Sequence, residues 1–154
     1  MSVPAFAFAP AKAGDLEALT ELRLLVMAES FNRIGRFDPE RARAWFADTY
    51  RPETTRLIMA GGETAGCVAF YETTPGVLKL EHFYLQPHWQ GRSLGTAVLD
   101  ILLAEADAVG AAVQLTVLRE SDAKRLYDRR GFVVTGQDDL DVYMARPPRP
   151  TAPA

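Results

Sequence analysis

The spacing of apolar positions changes period several times along this chain, and each change marks an element. Phe6–Ala9 is a short apolar run that reads as a first strand. After Gly14-Asp15 the period lengthens: Leu16, Leu19, Leu22 and Val26 share one helical face, predicting a helix to about Ser30. Asp38-Pro39-Glu40 predicts a second helix start, with a capping carboxylate, proline at the first helical position and an acid in the first turn. That helix should run to about Thr49, where Arg51-Pro52 ends it. Strand patterning follows: Thr55–Ala60 and Ala65–Glu72 flank Gly61-Gly62 as a hairpin, and Thr74-Pro75-Gly76 turns the chain into Val77–Leu85. Leu94, Val98, Ile101, Leu102 and Val109 form a helical stripe that Gly110 closes. Ala112–Leu118 is a strand of the buried type, Ser121–Arg130 a short helix stopped by Gly131, and Phe132–Gly136 and Leu140–Ala145 are two final strands.

The predicted order is therefore βααβββαβαββ, an α/β chain of the α+β type. Its single β-α-β crossover makes Val77–Leu85 and Ala112–Leu118 parallel, if they are neighbours, in an otherwise antiparallel sheet. A length of 154 residues suits one domain, expected over residues 1–146. Pro147–Ala154 holds four of the ten prolines and no aliphatic residue larger than alanine, so a disordered tail is expected there. With 48% hydrophobic and 24% charged residues the composition is that of a globular protein. The single cysteine, Cys67, excludes an internal disulfide and suits a reducing compartment. A net charge of −3 argues against general nucleic-acid binding, which needs a basic surface. No apolar run approaches the ~20 residues of a membrane span, and Met1–Pro10 lacks the basic start of a signal peptide. A cytoplasmic protein without a membrane partner is the expectation.

The chemistry concentrates in Glu81–Thr96, where a strand ends at Leu85, Pro87 enforces a turn, and a helix begins among Gly91, Arg92, Ser93, Leu94 and Gly95. The first turn of that helix has no acid and carries Arg92, which the helix dipole disfavours by roughly 0.3–1 kcal/mol. A glycine-rich, acid-free helix start suits an external anion, because its free N–H groups point outward and glycine lets the anion approach the backbone. A merely tight strand-to-helix turn is the alternative. No Gly-Lys dipeptide exists for a P-loop, and the dinucleotide fingerprint G-x-G-x-x-G is absent, so a different phosphate loop is implied.

Gln90-Gly91-Arg92-Ser93-Leu94-Gly95 resembles the Q/R-x-x-G-x-G/A signature of the GNAT superfamily of N-acetyltransferases, and it follows a strand ending Phe83-Tyr84-Leu85-Gln86-Pro87 as in that family. Ala123–Phe132 (AKRLYDRRGF) resembles a second family landmark, A-x-x-L/F-Y-E-x-x-G-F, so the resemblance covers residues 5–146. Two positions depart from the pattern. Ser93 fills the middle glycine position, where a serine of negative φ would keep its N–H for phosphate and add a hydroxyl donor. Ser121 and Glu120 stand where the family has an Asn, and Ser121 either contacts the coenzyme or caps the helix.

The resemblance implies a mixed, mostly antiparallel sheet of six or seven strands with a splayed parallel pair and about four helices. It implies acetyl-coenzyme A as cosubstrate: backbone groups of Phe83, Tyr84 and Leu85 hold the pantetheine, and the N–H groups from Gly91 to Thr96 hold the pyrophosphate, with Gln90 leading the loop. Ser121 and Lys124 are further candidate contacts, although Lys124 and Arg125 also read as a solvated helix face. Transfer in this family is direct, so Cys67 need not be a nucleophile and reads as core. An alkyl amine of pKa ~10.4 is about 3.4 units from neutral at pH 7, so a general base is useful. Glu81 is the candidate; His82 and a water relay are the alternatives, with Lys79, Glu81 and Phe83 on one strand face and Leu80, His82 and Tyr84 on the other unless a bulge near the strand end reverses them. Tyr127 is the candidate acid for the departing thiolate, against a packing role. Phe31, Phe37 and Trp45 line an acceptor pocket or fill a helix core. His82, His88 and Cys67 have no metal-ligand spacing, so no metal is expected. The acceptor is expected to be a small-molecule or peptide amine, a homodimer stays open, and a non-catalytic acyl-coenzyme sensor is the competing class.

Overall fold

The computed structural model describes residues 2–150. The chain runs β1 (Phe6–Pro10), α1 (Leu16–Arg33), α2 (Pro39–Thr49), β2 (Thr55–Ala60), β3 (Glu63–Thr74), β4 (Val77–Leu85), α3 (Leu94–Ala108), β5 (Ala112–Leu118), α4 (Ala123–Arg129), β6 (Val133–Gln137) and β7 (Asp141–Arg146). The order is the expected one, with short 3-10 turns added before α1, before β2 and after β4. Seven strands form a mixed sheet in the order β1-β2-β3-β4-β5-β7-β6. Neighbours β1–β2, β2–β3, β5–β7 and β6–β7 pair antiparallel. The crossover pair β4–β5 is parallel, and its ladder is short: Val77, Leu78 and Lys79 face Ala112, Val113 and Gln114. Strand β4 itself continues to Leu85.

Two compact units divide the chain, Met1–Ala69 with His82–Gly95, and Phe70–Glu81 with Thr96–Ala154. In the first, Leu19 and Leu22 of α1, Phe46 of α2, Ala11, Tyr50 and Cys67 form a buried cluster against which Leu16, Val26, Leu57 and Tyr84 pack. Full burial of each large apolar side chain contributes about 1.5–3 kcal/mol. Asp38 caps α2 by accepting the Arg41 N–H at 3.2 Å, and Pro39 opens the helix as its sequence dictates. Tyr50 ends it in an extended conformation, donates its hydroxyl to the Lys12 carbonyl at 2.6 Å, and has its phenol pushed up to about 12, chiefly by burial.

In the second unit, α3 buries Leu99, Leu102, Leu103 and Ala106, β5 buries Val113, Leu115 and Val117, and β7 buries Val142 and Met144. Helices α3 and α4 end in the same Schellman geometry. Gly110 N–H reaches Asp107 O at 3.1 Å and Ala111 N–H reaches Ala106 O at 2.9 Å; Gly131 and Phe132 repeat this on Asp128 and Tyr127 at 3.3 and 3.1 Å. Gly110 and Gly131 sit at φ +67° and +90°, conformations that favour glycine. Arg146 is buried and grips Asp107 with two bonds of 2.9 and 3.0 Å, while its Nε donates to the Arg130 carbonyl at 3.1 Å. Past β7, residues 147–150 carry no helix or strand, and Arg149 N–H donates to Asp107 at 2.9 Å. The rest of the predicted tail, 151–154, lies outside the described residues.

Candidate active site

The segment from the end of β4 to the start of α3 is tied to its surroundings by side chains. Glu63, opening β3, accepts the Trp89 indole N–H at 2.7 Å and lies 2.6 Å from His88 Nε2; those bonds, Trp89's first, hold its carboxyl below the ordinary value. A Cβ on Gly61 would lie 2.9 Å from the Trp89 ring, so the β2–β3 turn needs its glycine to admit the indole. Arg92 stacks over that indole at 4.7 Å. Gln90 donates its side-chain amide to the Leu85 carbonyl at 2.9 Å, tying the loop back to the strand it left.

Gly91, Arg92 and Ser93 are exposed, Leu94 is fully buried, and Gly95 and Thr96 are half-buried at the start of α3, whose first turn is free of acids. Gly91 lies at φ +72°. Ser93 lies at φ +63°, not at the negative φ expected of a serine that offers its N–H to phosphate. It adopts instead a left-handed backbone, a conformation that costs a non-glycine residue about 1–2 kcal/mol. A Cβ on Gly95 would meet Leu85 Cδ1 at 3.5 Å and Phe83 Cζ at 4.0 Å, ordinary contacts. A longer side chain at that position would grow over the end of β4.

Strand β4 keeps the expected alternation as far as Phe83, with Leu80 and His82 buried and Lys79, Glu81 and Phe83 half-buried, and loses it at Tyr84, which is half-buried like Phe83. His82 nevertheless takes φ +50°, an irregularity for a non-glycine strand residue. Beside it, Gly66 of β3 lets the strand end come close, since a Cβ there would sit 2.0 Å from the Tyr84 carbonyl oxygen. The His82 ring lies 3.1 Å from Thr49 Oγ1 and 3.4 Å from Tyr84 Oη, and packs edge-on to Phe46 at 4.8 Å and Trp45 at 5.2 Å. It is a packed, hydrogen-bonded imidazole. Cys67 is fully buried, donates to the His82 carbonyl at 3.3 Å, and has its thiol pushed up to about 12 by burial, which suits core filling and not nucleophilic attack.

In the second unit, Glu81 accepts the Tyr71 hydroxyl at 2.6 Å and presents its other oxygen to Lys79 Nζ at 3.4 Å. Tyr127 is buried in α4, edge-on to Phe132 at 5.5 Å, and its carbonyl accepts the Phe132 N–H in the helix cap. Ser121 accepts the Ala123 N–H at 3.2 Å just ahead of α4, whose cap position is held by Asp122. Lys124 pairs with Asp128 at 2.9 Å one turn on, and Arg125 is exposed. Among the described residues no three His, Cys, Asp or Glu side chains form a metal-binding group, and no helix is long and apolar enough to cross a membrane.

One residue escapes the sequence reading. Arg23 of α1 is 6% exposed. Its guanidinium lies 4.5 Å from the Trp45 ring and 5.5 Å from the Phe31 ring, so both residues line one feature, while Phe37 is half-buried elsewhere on the chain. The signal was present: Arg23 stands four residues after Leu19 and three before Val26, on the apolar stripe itself.

The family profile of the acetyltransferase (GNAT) domain matches residues 28–141. A search of curated proteins finds no match. Among solved structures, the PaiA N-acetyltransferase of Thermoplasma acidophilum, in complex with coenzyme A, superposes with a TM-score of 0.74 at 18% identity, over 93% of this chain and 99% of that one. Ard1 of Thermoplasma volcanium gives 0.70 at 17% identity, over 94% and 99%. The N-acetylglutamate synthase of Neisseria gonorrhoeae, complexed with coenzyme A and L-arginine, gives 0.65 at 13% identity, over 96% of this chain and 34% of that one. At these identities the likeness is one of fold.

Proposed function

The chain belongs to the GNAT acetyltransferase family, and we propose that within it the protein moves an acetyl group from acetyl-coenzyme A to a primary amine of a small molecule or peptide. The observation that carries this reading is the Gln90–Thr96 segment: an acid-free helix start, two left-handed residues before it, and a glycine where a side chain would cover Phe83 and Leu85. Those features fit a pyrophosphate on the N–H groups of α3 and a pantetheine arm along β4. When bound, acetyl-coenzyme A would supply an activated thioester.

The chain's own residues then have distinct tasks. Backbone groups of Phe83, Tyr84 and Leu85 hold the pantetheine amides. Gln90, Gly91, Arg92, Ser93, Leu94, Gly95 and Thr96 hold the phosphates. Glu81 takes the amine proton, directly or through water, from its place between Tyr71 and Lys79. Tyr127 donates from its phenol to the departing sulfur, whose charge appears only as the bond breaks. The protein would work in the cytoplasm, with no metal.

Calorimetry and free-thiol release test the proposal together. Gly95→Glu should abolish coenzyme binding while circular dichroism stays native, because a Cβ there makes only ordinary contacts and the carboxylate would occupy the anion's place. Tyr127→Phe should bind coenzyme normally and lose ~10²–10⁴-fold in kcat, the usual span of general acid catalysis. Wild-type protein that takes up no coenzyme at millimolar concentration sinks the reading, and full kcat in Tyr127→Phe returns that residue to packing.

A further inference from the structure

Buried arginines are tolerated where their charge and their five N–H groups are met. Arg23 is not met. Its Nε donates to Tyr84 Oη at 3.1 Å, but Nη1 is buried with no hydrogen-bond partner, and no carboxylate pairs with the guanidinium among the described residues. Its neighbours include the Trp45 and Phe31 rings over the guanidinium and, through Tyr84, the His82 imidazole and Thr49 hydroxyl, none of them a carboxylate. Stacking on indole and phenyl faces offsets part of the desolvation of the cation. It supplies no acceptor for Nη1. A methionine or leucine would fill the same space without that penalty, so an arginine here is explained by something it binds.

We infer that Arg23 is the anchor for a carboxylate on the acceptor, so the amine acetylated by this protein belongs to an amino acid or an acidic peptide. The inference rests on the acetyl-transfer reading above. With Nε committed to Tyr84, the guanidinium offers its terminal nitrogens side by side, a planar fork that matches a carboxylate. Trp45 covers the fork and is itself 46% exposed, so its ring can swing into solvent and admit the ligand edge-on. The same charge sorts acceptors by repulsion. A polyamine brings only cationic ends towards the Arg23 guanidinium, whereas an amino acid brings its counter-ion with it.

Thiol release with acetyl-coenzyme A tests this on matched probes: L-alanine, L-leucine, L-phenylalanine, L-methionine and L-glutamate, each against its α-amide, with spermidine and O-phosphoethanolamine as contrasts. At least one amino acid should exceed its amide by about 10–100-fold in kcat/KM, the discrimination expected from one charge-assisted hydrogen-bond pair. Glutamate α-amide, which keeps only the side-chain carboxylate, tells an α-carboxylate from an acidic side chain: it should match glutamate only if the anchored group is the side-chain carboxylate, with the amides of the four neutral amino acids inactive in either case. Arg23→Gln should bring the acid-to-amide ratio within about threefold of unity, and Arg23→Lys should keep part of the preference. A role in structure alone would lower both activities and leave the ratio standing. The ratio in wild-type protein needs no variant to fold.

The inference is overturned if the amides of alanine, leucine, phenylalanine and methionine are turned over as well as the best carboxylate in the wild type, if the preference survives Arg23→Gln, or if spermidine or O-phosphoethanolamine outperforms every carboxylate. Should coenzyme bind but no amine be turned over, transfer fails separately. Calorimetry of the same amino acids against coenzyme A-loaded protein then decides: heat with acids and none with amides upholds the anchor, and no heat with either removes it.

Discussion

Arg23 and Arg146 are both buried, at 6% and 3% exposure, yet the chain treats them in opposite ways. Arg146, at the end of β7, has a bidentate grip on Asp107 and a bond from Nε to the Arg130 carbonyl. Every direction it points, something accepts. Arg23 has one phenol, two aromatic faces and a terminal nitrogen with nothing to donate to. The first arrangement uses a charge to fasten a helix to a strand. The second leaves a charge unfastened in a folded core, which costs stability and makes sense only if the missing partner arrives from outside. Completeness of hydrogen bonding, more than burial, separates a structural arginine from a binding one here.

The largest effect should come from dismantling the complete pair. Asp107→Asn leaves Arg146 buried without its counter-charge; breaking a wholly buried pair costs ~3–5 kcal/mol, and the partial exposure of Asp107 reduces this to about 2–3 kcal/mol. Urea unfolding should show that loss, with a Tm drop of about 4–12 °C. Arg146's hydrogen bonds, above all, hold the Asp107 carboxyl below the ordinary carboxylate range, so its contribution is fully present above the unfolded-state value and disappears as pH falls through the folded-state value. Wild-type protein should therefore lose its margin over Asp107→Asn in acid. A margin unchanged down to the onset of acid unfolding would mean that the pair contributes nothing.

A smaller effect, and a sharper one for the comparison, is expected at Arg23. Arg23→Met should leave stability unchanged or raise it by about 1 kcal/mol, because a buried cation without a counter-ion gives way to a side chain of similar length that needs none. Loss of the Tyr84 bond works against this gain. Urea midpoints measured beside Asp107→Asn read the contrast directly. If Arg23→Met costs as much as Asp107→Asn, the two arginines do the same work and the distinction drawn between them falls.

Much of the architecture was legible because local signals and tertiary packing agree. Strands β2, β4 and β5 have the predicted bounds, and α2 begins and ends where Asp38-Pro39 and Arg51-Pro52 place it. Gly110 and Gly131 announced helix ends and are helix caps. The Tyr127–Phe132 stretch is legible twice over, since the spacing that resembles a family landmark is also the spacing of a Schellman cap with its aromatic contact. Backbone conformation was less legible. Nothing in the residue types reveals that Ser93 takes φ +63° or His82 φ +50°, because both depend on what neighbouring segments impose. Arg23 was passed over for another reason: a charged residue between leucines reads as a solvent face unless its place on the stripe is counted. The roles of Glu81 and Ser121 were open in the sequence because each residue type serves two purposes. The structure gives Ser121 one N–H at the start of α4 and Glu81 a phenol and an ammonium for company.

The chain contains two tryptophans, and they live in unlike places. Trp89 is 8% exposed, bonded through its indole N–H to Glu63; Trp45 is 46% exposed over the guanidinium of Arg23. The natural protein thus carries a built-in optical probe at each of its two proposed sites. A neutral quencher such as acrylamide reaches Trp45 from solvent and spares Trp89, so the emission divides into an accessible and a shielded part without any label. Ligands under the indole of Trp45 would register in the accessible part, and coenzyme on the Arg92 loop in the shielded one, letting the order in which two substrates arrive be followed by colour and intensity in a stopped-flow cell.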